Sequence, residues 1–141
     1  MLIEKVKMDN LSALKEKNQV KRDVLMVVIG KYMNICIEKK SKGQEATDTD
    51  MMFVIQKTIK ELNDSASDFC KMNRDDKVGE IKQQIVYLNE YLPKQLTEDE
   101  IRAEINKLED KTVPNIMKYF KANYAGQVDM SLVSQIARED N

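Results

Sequence analysis

The sequence predicts an all-α protein, and its composition and apolar spacing are the observations that indicate this class. Charged residues make up 33% of the 141 residues and hydrophobic residues 42%, with only 4 Gly and 2 Pro. This balance favours long helices, because Gly and Pro punctuate turn-rich chains. Apolar residues also recur at three- and four-residue steps, which is the spacing of one helix face. A chain of this length can bury a core sufficient for one domain, or for one domain with a small appendage.

The first two helices are predicted from residue 2 to about 17 and from residue 20 to about 40. The first has only a thin apolar stripe. The second is apolar almost all round between Val24 and Ile37, which predicts a central helix buried on more than one side. A polar segment around Gly43 is predicted to be the loop that follows.

The next two helices are predicted to form an antiparallel hairpin, because the link between them near Asn73 is short. The third helix begins with cap oxygens and negative charge at Thr47–Asp50, and its apolar residues fall on one face. The fourth begins near Asp75 and carries an apolar seam at alternating three- and four-residue steps. Its members are Val78, Ile81, Ile85, Leu88 and Leu92. Of these, Ile81, Ile85 and Leu88 are predicted to be core residues, with Tyr91 also substantially buried.

A proline break separates this long-helix region from the rest of the chain. Pro93 has no N–H and pushes Leu92 out of the helical conformation, so the fourth helix must end there. Thr97 and Glu100 then have the spacing of a capping box, which starts a new helix. The sequence therefore predicts an N-terminal long-helix domain, residues 1–92, joined by a hinge at Leu92 and Pro93 to a small tail domain, residues 93–141.

The tail is predicted to contain three short helices. The first holds Ile101, Ile105 and Leu108, and the second runs from Pro114 to Tyr124 before a stop at Gly126. The last is capped by Asp129 or Ser131 and carries the apolar residues Leu132, Val133 and Ile136. This region is close to the lower size limit for independent folding.

The chain contains no His and only two Cys, which limits its chemistry. Cys36 and Cys70 lie in apolar stretches without the spacing of metal ligands, so we interpret both as small core hydrophobes. The lack of His removes the commonest general base. We therefore expect no metal and no cofactor. No signal peptide is visible at the N-terminus, and the most apolar window is too short to span a bilayer, so we expect a cytoplasmic protein without membrane association.

The formal net charge of −1 argues against a strongly basic nucleic-acid binder, although the charge is unevenly distributed. Residues 1–42 contain ten basic and five acidic side chains. This excess has two interpretations, namely solvated helix faces with a chance imbalance or a basic arm that contacts an anionic partner.

Several sequence segments, in order along the chain, resemble the GatB/YqeY family. The most specific is Tyr91–Leu96, Tyr-Leu-Pro-Lys-Gln-Leu, which is followed by acidic residues. The others are Arg22–Leu25 with Val28–Gly30, Ile59-Lys60 with Asp64-Ser65, Arg74-Asp75, Ile116–Lys121, Gly126–Asp129 and Val133–Ile136. Together they cover nearly the whole chain. The resemblance implies a helical protein in two parts.

The resemblance also implies a relation to tRNA. In the B subunit of the glutamine-dependent aminoacyl-tRNA amidotransferase, a similar tail region contacts tRNA. The chain is therefore interpreted as a tRNA-associated accessory module that acts without the catalytic portion of that subunit. The candidate nucleic-acid contacts are Lys118, Lys121 and Gln127 in the tail and Lys15, Lys17 and Lys21 in the basic arm. The alternative for Lys118 and Lys121 is that they form only the solvent face of an amphipathic helix.

This sequence departs from the family pattern at positions that often carry positive charge. Met26 and the segment Glu61–Asn63 stand where the family often has Arg, and Asp129–Ser131 stands where Asp-Gly-Lys is common. Each lost phosphate contact weakens binding and lowers its salt dependence. Any RNA binding is therefore expected to be weak.

Two other classes of function stay open. A helical adaptor for a tRNA synthetase or an amidotransferase component would use surplus Met and Tyr residues, since both types suit interfaces. The residues concerned are Met51, Met52, Tyr87, Tyr91, Tyr119 and Tyr124. An enzyme is the third class. Because the sequence has no Gly-rich phosphate loop, nucleophile elbow or metal-ligand spacing, we name no catalytic residue and expect no catalysis by the chain alone.

Overall fold

The computed structural model describes residues 1–139, which form helices and loops with no strand among them. The predicted all-α fold is confirmed. The helices are α1 Leu2–Lys15, α2 Gln19–Ser41, α3 Asp48–Lys71, α4 Asp75–Asn89, α5 Glu98–Asn106, α6 Val113–Asn123 and α7 Met130–Glu139.

The chain divides into two compact units, Met1–Tyr91 and Leu92–Asn141. The change of unit falls next to Pro93, whose ring prevents α4 from continuing by removing a backbone donor. That the two units behave as separate domains about a hinge at Leu92 and Pro93 stays a prediction.

The first unit is built around α2, which packs against α1, α3 and α4, while α3 packs along α4. The α3–α4 hairpin is therefore present, and α2 is the central helix. The buried residues of this unit are Val6, Ala13, Val24, Leu25, Val28, Tyr32, Met51, Val54, Ile55, Thr58, Ile81 and Leu88. At the turn into α4, Asn73 has a φ of 58°. Asn tolerates this left-handed conformation better than most residues.

One side of α2 is exposed, contrary to the expected burial on more than one side. Val24, Leu25 and Val28 face the core, whereas a second apolar set faces solvent. We call this set the outer face of α2. Its apolar side chains, with their exposed fractions, are Met26 51%, Val27 48%, Met33 43% and Ile37 67%, and Gly30 lies among them. The expectation was wrong because the three neighbouring helices cover only the opposite side.

Gly30 has no steric reason to be glycine within its own unit. A Cβ built at this position would meet no atom within 4 Å. Gly in a helix interior costs about 1 kcal/mol relative to Ala, mainly through backbone entropy. Gly30 therefore lowers the stability of α2, and packing within the first unit does not explain why glycine occupies this position.

Two further core predictions need correction. Cys36 is half-buried and Cys70 is exposed, because Cys70 follows the half-buried Phe69 and the next residue of a helix points away from its neighbour. In α4, Ile81 and Leu88 are buried as predicted, but Ile85 is only half-buried. Ile85 lies to the side of the line that joins Ile81 and Leu88.

The second unit packs α5, α6 and α7 around a small apolar core. Its buried members are Ile101, Ile105, Ile116, Phe120, Val128, Val133, Ile136 and Ala137. The capping box predicted at α5 is present, since the Glu100 N–H donates to Thr97 Oγ1 at 3.2 Å and the Thr97 N–H donates to Glu100 Oε1 at 3.3 Å. Gly126, with a φ of 80°, allows the tight turn before α7. Asp129 accepts from the Ser131 N–H at 2.9 Å and so caps α7.

A part-buried ion pair joins α2 to the start of α3. Lys39 Nζ donates to Asp50 Oδ2 at 2.6 Å, and the Thr47 N–H donates to the same oxygen at 2.8 Å. Burial alone would raise the pKa of Asp50. The hydrogen bonds from Lys39 and Thr47 outweigh burial and hold the pKa of Asp50 below its usual 3.8.

We expect Asp50→Asn to flatten the loss of stability in acid. A lowered folded-state pKa gives stabilisation that is full above the ordinary pKa of 3.8 and is lost as pH falls through the lowered pKa. At neutral pH the substitution should cost on the order of 1 kcal/mol, because the cap and the ion pair both weaken. Urea melts from neutral pH into acid measure both effects. Asp64→Asn, at an exposed position of α3, is the control; equal pH profiles for the two variants would contradict the role of Asp50.

Candidate nucleic-acid interface

Two exposed lysines stand side by side on α6. Lys118 and Lys121 are three residues apart and so are neighbours on the helix surface. They lie away from Ile116 and Phe120, which are fully buried and turn the apolar stripe of α6 inward. Within residues 1–139 neither lysine has an ion-pair partner. Their charge is therefore left to solvent.

Two other cations of the second unit, Arg102 and Lys107, are paired with acids. Arg102 Nη2 lies 2.8 Å from carboxylate oxygens of both Glu98 and Glu139. Lys107 Nζ lies 3.1 Å from Glu104 Oε1. Local acids therefore compensate the positive charge of α5, whereas that of α6 is uncompensated.

A shallow groove of about 400 Å³ adjoins α6 and α7. It is lined by Met117, Met130, Ser131, Ser134 and Arg138. Lys121 follows Met117 by one helical turn, so it continues the same row of α6 beyond the groove. An Arg and hydroxyl groups in such a groove suit phosphate oxygens, because the guanidinium can donate two parallel hydrogen bonds.

Arg138 and Ser134 were not identified from the sequence. The signal that could have found them is the spacing of Ser131, Ser134 and Arg138, which places all three on one side of α7. That side differs from the one formed by the buried Val133 and Ile136. The sequence did not reveal that it borders α6.

A tyrosine hydrogen bond links the lysine-bearing helix to α5. Tyr119 Oη donates to Glu104 Oε2 at 2.9 Å and so links α6 to α5. This hydrogen bond raises the pKa of Tyr119 to about 12 and lowers the pKa of Glu104. The Phe120 ring lies 5.4 Å from the Tyr119 ring and 5.6 Å from the Tyr124 ring, measured between centroids. Both tyrosines are half-buried.

Gln127 is set apart from the two lysines in local structure. It lies in the turn between α6 and α7, where its N–H donates to the Tyr124 carbonyl at 2.9 Å. Its own carbonyl accepts from the Leu96 N–H at 2.8 Å. The backbone of Gln127 therefore ties the α6–α7 turn to the segment before α5, and its direct contact with nucleic acid stays a prediction.

The three arm lysines surround the α1–α2 turn in the first unit. Lys15 and Lys17 are exposed, and Lys17 adopts a φ of 59° to reverse the chain. Lys21 is half-buried, with its Nζ 5.1 Å from the centroid of the Tyr87 ring. This cation–π contact occupies one side of the Lys21 ammonium. Lys15 and Lys17 are therefore the more accessible of the three.

Tyr91 fastens the end of α4 to α1. Its Oη donates to Asp9 Oδ2 at 2.5 Å, and Lys5 Nζ lies 5.6 Å from its ring centroid. Burial, followed by the hydrogen bond to Asp9, raises the pKa of Tyr91 above its usual value. The side chain is half-buried, and its contacts account for a structural role.

No helix in residues 1–139 is long and apolar enough to cross a membrane. The same part of the chain contains no group of three or more His, Cys, Asp or Glu side chains arranged to hold a metal ion.

These features define a class of protein, namely an all-helical chain in two compact units, the second with an unpaired basic pair beside a groove. A family model described as Yqey-like protein matches residues 3–140, so the chain belongs to the YqeY-like family. This confirms the family resemblance drawn from the sequence motifs. A comparison with curated proteins found no match.

Proposed function

We propose that the chain is a tRNA-associated accessory module whose second unit contacts the phosphate backbone. The observation that carries the proposal is the pair Lys118 and Lys121, both exposed and without an ion pair in the described chain. The relation of the YqeY-like family to the tail of the amidotransferase B subunit, where tRNA is contacted, supports this choice of polyanion.

The proposed contact is electrostatic and of low affinity. Lys118, Lys121 and Arg138 supply the positive charge, while the chain as a whole carries a net charge of −1. Each neutralised phosphate contributes roughly −0.7 to −0.9 to the slope of log affinity against log salt. Three contacts therefore give a slope of roughly −2 to −3, and Lys15 and Lys17 add a smaller contribution from the first unit.

We expect Lys118→Gln combined with Lys121→Gln to weaken tRNA binding and to reduce the magnitude of the salt slope by roughly 1.4 to 1.8. The melting temperature should stay the same, because neither side chain belongs to the apolar core. Fluorescence titrations with tRNA across a range of salt concentrations measure both quantities. The matched control is Lys57→Gln with Lys82→Gln, which removes two exposed charges from the first unit. If wild-type protein does not bind tRNA even at low salt, the proposal loses its physical basis.

The arm lysines provide a second, graded comparison. Lys15→Gln with Lys17→Gln should lower affinity less than the tail pair does, since the proposal assigns the main contact to α6. A larger loss of tRNA affinity in the arm variant would indicate that the main contact lies in the first unit.

A helical adaptor for a tRNA synthetase or an amidotransferase component is the second candidate. The exposed apolar side chains of the outer face of α2 favour it. The four tyrosines do not, because Tyr87, Tyr91, Tyr119 and Tyr124 are all half-buried. Titration of purified synthetase or amidotransferase component against wild-type protein and Met33→Glu tests this candidate, and equal affinities would exclude the outer face of α2 as its docking surface.

A further inference from the structure

The outer face of α2 fits a second copy of the same chain. We propose that two copies pack their α2 helices side by side, in parallel, about a two-fold axis that passes close to Gly30. This self-association goes beyond the proposed contact with tRNA and uses none of the residues assigned to it.

The apolar seam has the repeat of a two-stranded helix pair. Met26, Gly30, Met33 and Ile37 follow one another at steps of four, three and four residues. This alternation keeps a seam facing a partner helix along its length. All four positions are exposed in the first unit, so the seam is available to a partner without any rearrangement of the core.

Gly30 at the centre of the seam is explained by close approach of a second backbone. Beyond the neighbouring turns of α2 itself, a Cβ at this position meets no atom of residues 1–139 within 4 Å, so intramolecular packing does not require glycine. Glycine is used where a backbone must come close to another group. In the parallel pair Gly30 faces Gly30 of the second copy, and the two helices can approach more closely there than elsewhere along the seam.

The charges beside the seam select the parallel orientation. From 100° of rotation per residue, Arg22 and Lys40 lie on one flank of the outer face, while Asp23 and Glu38 lie on the other. A parallel two-fold arrangement brings opposite flanks together at the same height. It places Arg22 beside Asp23 of the second copy and Lys40 beside Glu38. An antiparallel arrangement would instead oppose Arg22 to Lys40 and Asp23 to Glu38, which are like charges.

Among the described residues Arg22 forms no ion pair, so its charge is open to an acid of the second copy. Its Nε is buried within its own unit, so the contact would be made by the outer part of the guanidinium. On the opposing flank, the one ion pair of Glu38 within residues 1–139 is with Lys42, at 3.6 Å and with both side chains exposed. Such surface pairs contribute little, so Glu38 can exchange Lys42 for Lys40 of the second copy.

The first test is the oligomeric state of the full chain, measured by sedimentation equilibrium from micromolar to millimolar concentration. We expect a monomer–dimer equilibrium for the wild type and a shift to monomer for Met33→Glu. Val86→Glu is the matched control, because Val86 is an exposed apolar residue on α4, outside the seam, at 52% against 43% for Met33. A wild type that is monomeric throughout, or equal dissociation of both variants, would overturn the proposal. Circular dichroism verifies that both variants are folded.

Gly30→Ala separates the proposed contact from a general stability effect. The substitution should raise the melting temperature of the monomer, since Ala is the better helix former. It should weaken the dimer at least tenfold, because two methyl groups would then meet at the closest approach. Unchanged or tighter dimerisation would contradict a close contact at this position.

Orientation is tested by crosslinking and by charge reversal. In a Cys36→Ser, Cys70→Ser background, Ile37→Cys should form a disulfide-linked dimer on oxidation, because position 37 meets itself only in the parallel pair. Glu38→Lys should weaken the dimer and a further Lys40→Glu should restore it. A dimer strengthened by Glu38→Lys, or one in which the Ile37→Cys variant forms no crosslink, would rule out the parallel arrangement.

Discussion

Replacing Phe120 with Ala is expected to unfold most of the second unit at ambient temperature. Phe120 is fully buried at the centre of the α5–α7 core, and its ring packs against two tyrosine rings. Phe→Ala changes in cores cost about 3–5 kcal/mol, through lost transfer energy and the cavity left behind. A unit of roughly 50 residues has a net stability of only about 3–8 kcal/mol. The loss is therefore comparable with the whole stability of the unit.

Hydrogen exchange read residue by residue is the measurement that resolves this effect. In Phe120→Ala, amides of α5, α6 and α7 should lose protection while those of α2, α3 and α4 keep it. Lys118→Ala, an exposed position on the same helix, is the control and should leave both sets protected. Loss of protection in both units together would show that they do not fold independently, contrary to the prediction of two domains. It would also link tRNA binding to the integrity of the whole chain.

The parts of the fold that depend on near neighbours in sequence were predictable. The capping box at Thr97 and Glu100 follows from their three-residue spacing, and the same holds for Thr47 and Asp50. The α3–α4 hairpin follows from a short link that leaves the chain little choice of direction. In each case the interacting groups are a few residues apart, so the pattern alone specifies the structure.

The exposed side of α2 could not be predicted in the same way. Apolar residues on all sides of a helix indicate that each side can be buried, but not how many neighbours are present to bury it. In this chain the other helices of the first unit pack on the side of Leu25 and Val28 and leave Met33 and Ile37 exposed. Cys70 illustrates the same difficulty, because an apolar neighbour such as Phe69 does not determine whether the next side chain along a helix is buried.

The candidate site was predicted only in part for a related reason. The exposure of Lys118 and Lys121 could be predicted, because the apolar stripe of α6 lies on the other side of the helix. The participation of Arg138 depends on the packing of α7 beside α6, and the engagement of Lys21 depends on the position of Tyr87 in a distant helix. Tertiary contacts of this kind leave no periodic signal in the sequence.

Leu88→Ala is expected to give a large loss of stability in the first unit and to separate core from edge along α4. Leu88 is fully buried, Ile85 is half-buried and Val86 is 52% exposed. Leu→Ala at a fully buried position costs about 2–5 kcal/mol. Ile85→Ala should cost less, on the order of 1–2 kcal/mol, because part of its surface is already in water. Val86→Ala should stay within about 0.5 kcal/mol, as surface changes usually do.

The order of these three losses is a stricter test than any single value. The three residues share one helix and lie within four positions, so helix propensity and denatured-state effects are similar and burial is the main difference between them. Urea melts at protein concentrations low enough to keep the chain monomeric give the three values without a contribution from self-association. A loss at Val86 equal to that at Leu88 would mean that the apolar seam of α4 faces in another direction. A loss of stability in Ile85→Ala equal to that in Leu88→Ala would support the regular heptad seam predicted from the sequence. It would mean that α4 is rotated, so that Ile85 faces α2 and α3.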